Sequence, residues 1–590
     1  MHRNQRLVIG AVAALLALAP ALNLSAAPNR DGRDRGEGNS RVKRVLLISI
    51  DGMHSIDFIN CAAGISSING GASYCPTLAE LQMTGVNFLD ATTSKPSDSF
   101  PGLMAIVSGG SPRSVGAFYD VAFDRVLAPP TITTGNSLPG GNCSPNMANG
   151  TTTEFDEGID KNETFLNGID GFITANGDGG RNAIDPQKLP RDPFAGCTPV
   201  FPWNFVRTNT IFGVIHAGGG YTAWSDKHPS YSSVAGPGNN SNLDDYYSPE
   251  INSDPTNPAN TIPGCNLSAG DPNFSNLGAW TDSFVGVRCY DTLKVNAILN
   301  EIDGFTHNRS HAAPVPTIFG MNFQAVSVGQ KLIEKSVGKG GYLDSIGTPS
   351  PLLLQEIEFV DGAIGQFVSE LKKTGHFDDT LIVITAKHGQ SPVDSARYQG
   401  IGVPAGSPIS TTPATSLSAC LDASENSALG PTEDDVSLLW INQNACSTSN
   451  AVTQLETTSP TSNNVAGIGQ IFWGPGIRQL YNAPGLPPDG DPRTPDIIVA
   501  PNVGVTYSGS SKKQAEHGGF AHDDTNVMML FSNPKFRSAT VPSPVETMQV
   551  APTILAALGL DPAALESVRM EGTQALSEVL AQLHSDRDRD

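Results

Sequence analysis

The sequence predicts an α/β fold: a mainly parallel central sheet with helices on both faces and long loop-rich insertions. Three features predict it. Short apolar runs occur without polar alternation, helical repeats separate them, and a long stretch rich in Asn, Gly, Pro, Ser and Thr interrupts the pattern. A run that stays apolar at every position suits a strand covered on both faces, as in parallel sheets. Strands alternating with helices imply a layered α/β architecture.

The first such run, Val45–Ile50, ends at Asp51-Gly52. Pro76–Thr84 and Phe100–Val107 read as helices. From about 128 to 310 the loop-forming residues dominate, with one core element at Thr210–His216. The core resumes at Pro316–Phe323, a strand-like run. Ile357, Val360, Ile364, Phe367 and Leu371 then recur at spacings of three and four, one face of an amphipathic helix that Gly375 stops. Thr380–Thr385 is a second buried strand, leading into Lys387-His388-Gly389. Asp496–Ala500 and Val527–Phe531 are further strands, and Val550–Leu558 is a terminal helix.

Residues 1–27 have the layout of a signal peptide: Arg3 and Arg6, the apolar run Leu7–Leu22, then the small residues Ser25, Ala26 and Ala27. The run is short for a stable membrane span, so a secreted or periplasmic protein is expected. Residues 28–43 read as a flexible linker, 44–580 as one domain carrying the insertions, and 581–590 as a charged tail. Eight cysteines without a Cys-x-x-Cys pair suit four disulfides in an oxidising compartment. The simplest pairing is sequential: 61–75, 143–197, 265–289 and 420–446. With 36 basic against 58 acidic residues, the net charge of −22 speaks against binding a polymeric nucleic acid. A small phosphorylated or other anionic substrate remains compatible, because local cations can invert the field within a pocket.

Ligands of parallel sheets sit at the carboxyl ends of the strands. Asp51 and His388 both follow apolar strands directly, which places them at one site. Four segments stand out together: Asp51–Met53, Lys95–Gly102, Ala386–Gln390 and Glu516–Phe520. Their order and spacing resemble the type I phosphodiesterase/nucleotide pyrophosphatase branch of the alkaline phosphatase superfamily. The segments Pro76–Leu81, Ser108–Arg113 and Ala551–Leu560 extend the likeness.

The resemblance implies an alkaline-phosphatase-like fold and two-zinc hydrolysis of phosphodiesters. It implies Asp51 as a carboxylate metal ligand and Ser99, at a helix N-terminus, as the metal-bound nucleophile. It also implies His388 and His517 as imidazole ligands. The bland readings are a turn-capping Asp51, an N-cap Ser99 and structural histidines. The sequence departs from the family pattern in four places. Lys387 stands for an aspartate ligand, Asn322 for another aspartate, Val326 for a histidine, and Gly102 for an asparagine that contacts phosphate. Asn is a poor zinc ligand and Val is none. The expectation is therefore one divalent ion, zinc, rather than two, with Lys387 as a fixed cation in catalysis. The alternatives are a non-catalytic anion-binding relative and a one-metal, sulfatase-like hydrolase.

Overall fold

The computed structural model describes residues 42–155, 184–238, 240–252, 279–421, 432–458, 467–480 and 491–584. The expected signal peptide and most of the linker lie outside them. Among the described residues, nine strands build the central sheet. They are β1 (Arg44–Ile50), β2 (Gly85–Thr92), β3 (Ala223–Ser225), β4 (Asp245–Tyr247), β5 (Ile318–Phe323), β6 (Thr380–Thr385), β7 (Asn526–Ser532), β8 (Ala539–Val541) and β9 (Val545–Glu546). The order is β8-β2-β7-β6-β1-β5-β3-β4, with β9 also paired to β2. Every pairing is parallel except the two made by β7, which runs against β2 and β6.

The apolar run of β1 is buried on both faces, as its composition requires. Val45 and Leu47 pack with Phe100, Leu103 and Ile554. Leu46, Ile48 and Ile50 pack on the other side with Leu78, Ile357 and Ile364. The helices supplying these contacts are α1 (Pro76–Met83), α2 (Ser99–Ser108), α4 (Pro351–Thr374) and α5 (Val550–Ala557), with α3 (Phe284–Ile302) joining α4 on the second face. The register sets the site: Ser49 lies opposite Thr385 on one side and Asn322 on the other. Asp51, Lys387 and Gln324 therefore leave the sheet at one level.

Some expectations need correction. The core element expected at Thr210–His216 is a helix, Ile211–Ala217, with Ile211, Phe212 and Ile215 buried. The Asp496–Ala500 run forms the strand Ile497–Pro501, but in a separate four-stranded sheet with Thr432–Glu433, Ser437–Leu439 and Ile468–Trp473. The stretch 128–310 supplies β3, β4 and the 19-residue α3, so it contributes core as well as decoration. Strand β2 escaped the sequence reading because Asn87 and Asp90 interrupt its apolar pattern.

Disulfides join Cys61 to Cys75, Cys143 to Cys197 and Cys420 to Cys446, as sequential pairing predicts. The expected partner of Cys289, Cys265, lies outside the described residues. Among the described residues, no helix is long and apolar enough to cross a membrane.

Candidate active site

Four adjacent parallel strands deliver polar side chains to one edge of the sheet. β1 leads to Asp51, β6 to Lys387 and His388, β5 to Asn322 and Gln324, and β3 to Asp226 and Lys227. Ser99 enters as the first residue of α2, after the N-cap Asp98.

Ser99, Asp51 and His388 converge, as expected. Ser99 Oγ lies 3.2 Å from His388 Nε2. His388 Nδ1 lies 2.8 Å from the Gly389 carbonyl oxygen, which can only accept, so Nδ1 carries the proton. In the neutral ring, Nε2 is then the acceptor facing the serine hydroxyl. His388 Nε2 also lies 3.6 Å from Asp51 Oδ2. The nearby Ser94 Oγ donates instead to the Pro96 carbonyl, whereas Ser99 Oγ meets the histidine.

Asp51 is fully buried, and each of its carboxylate oxygens accepts from a side-chain amide. Asn322 Nδ2 donates to Oδ1 at 2.7 Å, and Gln324 Nε2 donates to Oδ2 at 2.6 Å. Burial alone would raise the Asp51 pKa, but Lys387, His388 and Lys227 together hold it well below the usual carboxylate range.

Sequence reasoning missed Lys227, whose Nζ donates to Ser99 Oγ at 2.8 Å and lies 3.8 Å from Asp51 Oδ2. Burial disfavours its charge, but Asp51, Asp120, Asp226 and Asp98 outweigh that and raise its pKa. The available signal was the one that singled out Asp51: a charged pair, Asp226-Lys227, directly after an apolar strand. It was hidden because β3 is three residues long and lies within the loop-rich stretch.

Lys387 points inward and is fully buried. Its Nζ donates to Asp226 Oδ1 at 2.8 Å and sits 4.1 Å from the Tyr231 ring centroid. Asp226 Oδ2 also accepts from Trp224 Nε1 at 2.9 Å. His517 joins the group by stacking on His388, ring centroids 3.9 Å apart. Its Nδ1 is buried, without a hydrogen-bond partner, 3.5 Å from Asp98 Oδ1. Burial, then the electrostatic influence of His388, Lys331 and Lys227, pushes its pKa well below the usual value and keeps it neutral. The helix N-terminus is partly spoken for: the Phe100 amide donates to Asp120 Oδ1 at 2.8 Å. Asp120 also accepts from the Tyr231 hydroxyl at 3.1 Å.

The donor set does not fit the two metal ions that the resemblance implies. Asn322 offers its amide N–H to Asp51, Val326 is buried among apolar side chains, and Lys387 is paired with Asp226. An ammonium stands beside the serine hydroxyl, where it repels a second cation. Among the described residues, no cluster of three or more His, Cys, Asp or Glu side chains forms a metal-binding group.

Residues 45–154 and 340–523 match the sequence model of type I phosphodiesterase / nucleotide pyrophosphatase. A search of curated proteins returns no match. Among solved structures, murine ectonucleotide pyrophosphatase / phosphodiesterase 5 is similar at a TM-score of 0.48 and 12% identity, over 88% of this chain and 96% of its own. An inactive variant of that murine protein in complex with AMP gives the same figures. The human protein of the same name gives a TM-score of 0.47 and 12% identity, over 88% and 95% of the two chains. The two matched segments bracket the loop-rich stretch and carry Asp51, Ser99, Lys387, His388 and His517. On that match, the chain belongs to the type I phosphodiesterase / nucleotide pyrophosphatase family of hydrolases.

Proposed function

We propose that the protein is an exported hydrolase of small phosphodiesters, residues 44–580 forming the catalytic domain, with Ser99 as nucleophile. One observation carries this reading: Ser99 Oγ is held between an acceptor, His388 Nε2, and a cationic donor, Lys227 Nζ. Ser99 Oγ attacks phosphorus and passes its proton to His388 Nε2. The bond from phosphorus to the leaving oxygen breaks; that oxygen keeps the electron pair and takes a proton from solvent. Water then attacks the phosphoserine phosphorus and loses a proton to solvent. Ser99 Oγ departs with its electron pair and recovers the proton held at His388 Nε2. Lys387, paired with Asp226, acts as a fixed charge that keeps Asp51 ionised. The signal-like residues 1–27 and the disulfides support export.

A second reading keeps one zinc ion on Asp51, Ser99, His388 and His517. The stacked imidazoles and the unpartnered His517 Nδ1 favour it. Ser99→Ala tests the first reading: turnover of bis(p-nitrophenyl) phosphate falls to the uncatalysed rate while the unfolding midpoint is retained. Activity in that variant rules out the nucleophile.

A further inference from the structure

We propose that Lys227 is the resident cation of this site, standing beside the nucleophile in the role of a metal ion, so that anion binding and turnover need no metal. The proposal deepens the hydrolase reading and rests on it for turnover, though not for binding.

The geometry is that of a donor site. A metal ion draws lone pairs from its ligands, so its neighbours must be free acceptors. Around Ser99 and Asp51 three neighbours are donors, and His388 Nε2 is the acceptor that faces the serine. Lys227 Nζ donates to Ser99 Oγ, while Asn322 and Gln324 place amide N–H groups on the two oxygens of Asp51. These contacts engage Asp51 as an acceptor for two amides and as counter-ion to the ammonium, 3.8 Å away.

The ammonium is buried in the sense a catalytic charge requires, yet it is reachable. Lys227 is 8% exposed and lines a cavity of about 290 Å³ with Gln324, Lys331 and Lys513. Lys331 and Lys513 are paired with Glu516, and Lys512, which also lines the cavity, with Asp282; Lys227 is the cation that meets the nucleophile. In a water-poor pocket, a preorganised positive donor on the attacking oxygen stabilises the alkoxide as its proton leaves, and then the phosphoryl oxygens. An ammonium supplies this without a coordination shell, which explains why aspartate and histidine ligands are not needed at 322, 326 and 387.

The test uses full-length protein dialysed against EDTA and 1,10-phenanthroline, with zinc content checked. Two readouts are taken: kcat/KM for bis(p-nitrophenyl) phosphate, and orthovanadate affinity by calorimetry. The expected result is that chelation leaves both unchanged in the wild type. Lys227→Met, close to isosteric, lowers both by about 100-fold, the usual cost of one oxyanion donor. Lys227→Arg, which keeps the charge but displaces it, recovers part of the affinity and less of kcat. If Lys227→Met does not fold, Lys227→Arg decides, and wild-type kcat in it overturns the proposal. Loss of vanadate binding on chelation, restored by zinc, also overturns it, as does unchanged binding in Lys227→Met. Chelator-resistant vanadate binding without turnover defeats the hydrolase reading and leaves Lys227 as the anion-binding cation.

Discussion

Gly102 has no room for a side chain. A Cβ there would lie 2.1 Å from the Lys387 carbonyl oxygen, which already accepts from Thr93 Oγ1. Sequence reasoning treats this position as a lost phosphate donor; the structure shows it pressed against the backbone that presents Lys387 and His388. Restoring the family asparagine by Gly102→Asn should destabilise the fold by about 2 kcal/mol, in the range of overpacked cores, as read from urea unfolding. It should lower activity by displacing His388, without creating a new phosphate contact. Ser99, Asp51 and His388 were legible because each is fixed to a recognisable element boundary. Lys227 was not, since a lone lysine in a loop-rich stretch carries no periodicity to mark it. Its significance arises only from the sheet order that sets β3 beside β5.

At the level of elements, legibility followed length and regularity. Helix α4 repeats its apolar residues over 24 positions, begins at Ser350-Pro351 and stops at Gly375, whose φ is 77°. Each signal has a physical cause, and all three agree. Ser350 Oγ accepts from the Leu353 amide at 3.2 Å. Ser350→Ala should therefore cost about 1 kcal/mol of stability, measured by urea denaturation, with kcat unchanged. Helix α3 was missed because polar and apolar residues share its buried surface: Asp291, Lys294 and Glu301 lie inside with Val287 and Ile298. Asp291 and Lys294 form a buried pair at 3.0 Å, a contact that composition cannot disclose. The strand at Ile497–Pro501 was found, but its sheet was not, since an apolar run says that a strand is covered and not by what.

For the whole molecule, the acidic composition has a consequence for stability. Several carboxyl groups are buried with raised pKa values. Burial first, then Glu516, lifts Asp434 to about 7. Burial lifts Asp524 to about 8, with Asp523 adding to it. A group of this kind keeps its proton in the folded chain after the unfolded chain has released it at about pH 4. Stability from these groups is fully present below that value and is lost as pH rises through 7 to 8. Asp51 behaves oppositely: its stabilising charge persists above the ordinary carboxylate pKa and fades only in acid below it. The urea midpoint should thus be higher at about pH 5 than at about pH 9, and equal midpoints would contradict the burial of Asp434 and Asp524.

The reversed direction of β7 ties these scales together. Because it runs against β2 and β6, its beginning, Asn526, lies at the edge where its neighbours end. The polypeptide reaching that edge from upstream brings His517 with it, and is stitched in place by the Gly389 amide on the Asp524 carbonyl and by paired backbone bonds between Ser391 and Glu516. One segment is thus both keystone and wall: it spans the seam between β2 and β6 and sets His517 against His388. Damage there should not yield a sound scaffold with a faulty centre, because the two would be lost together.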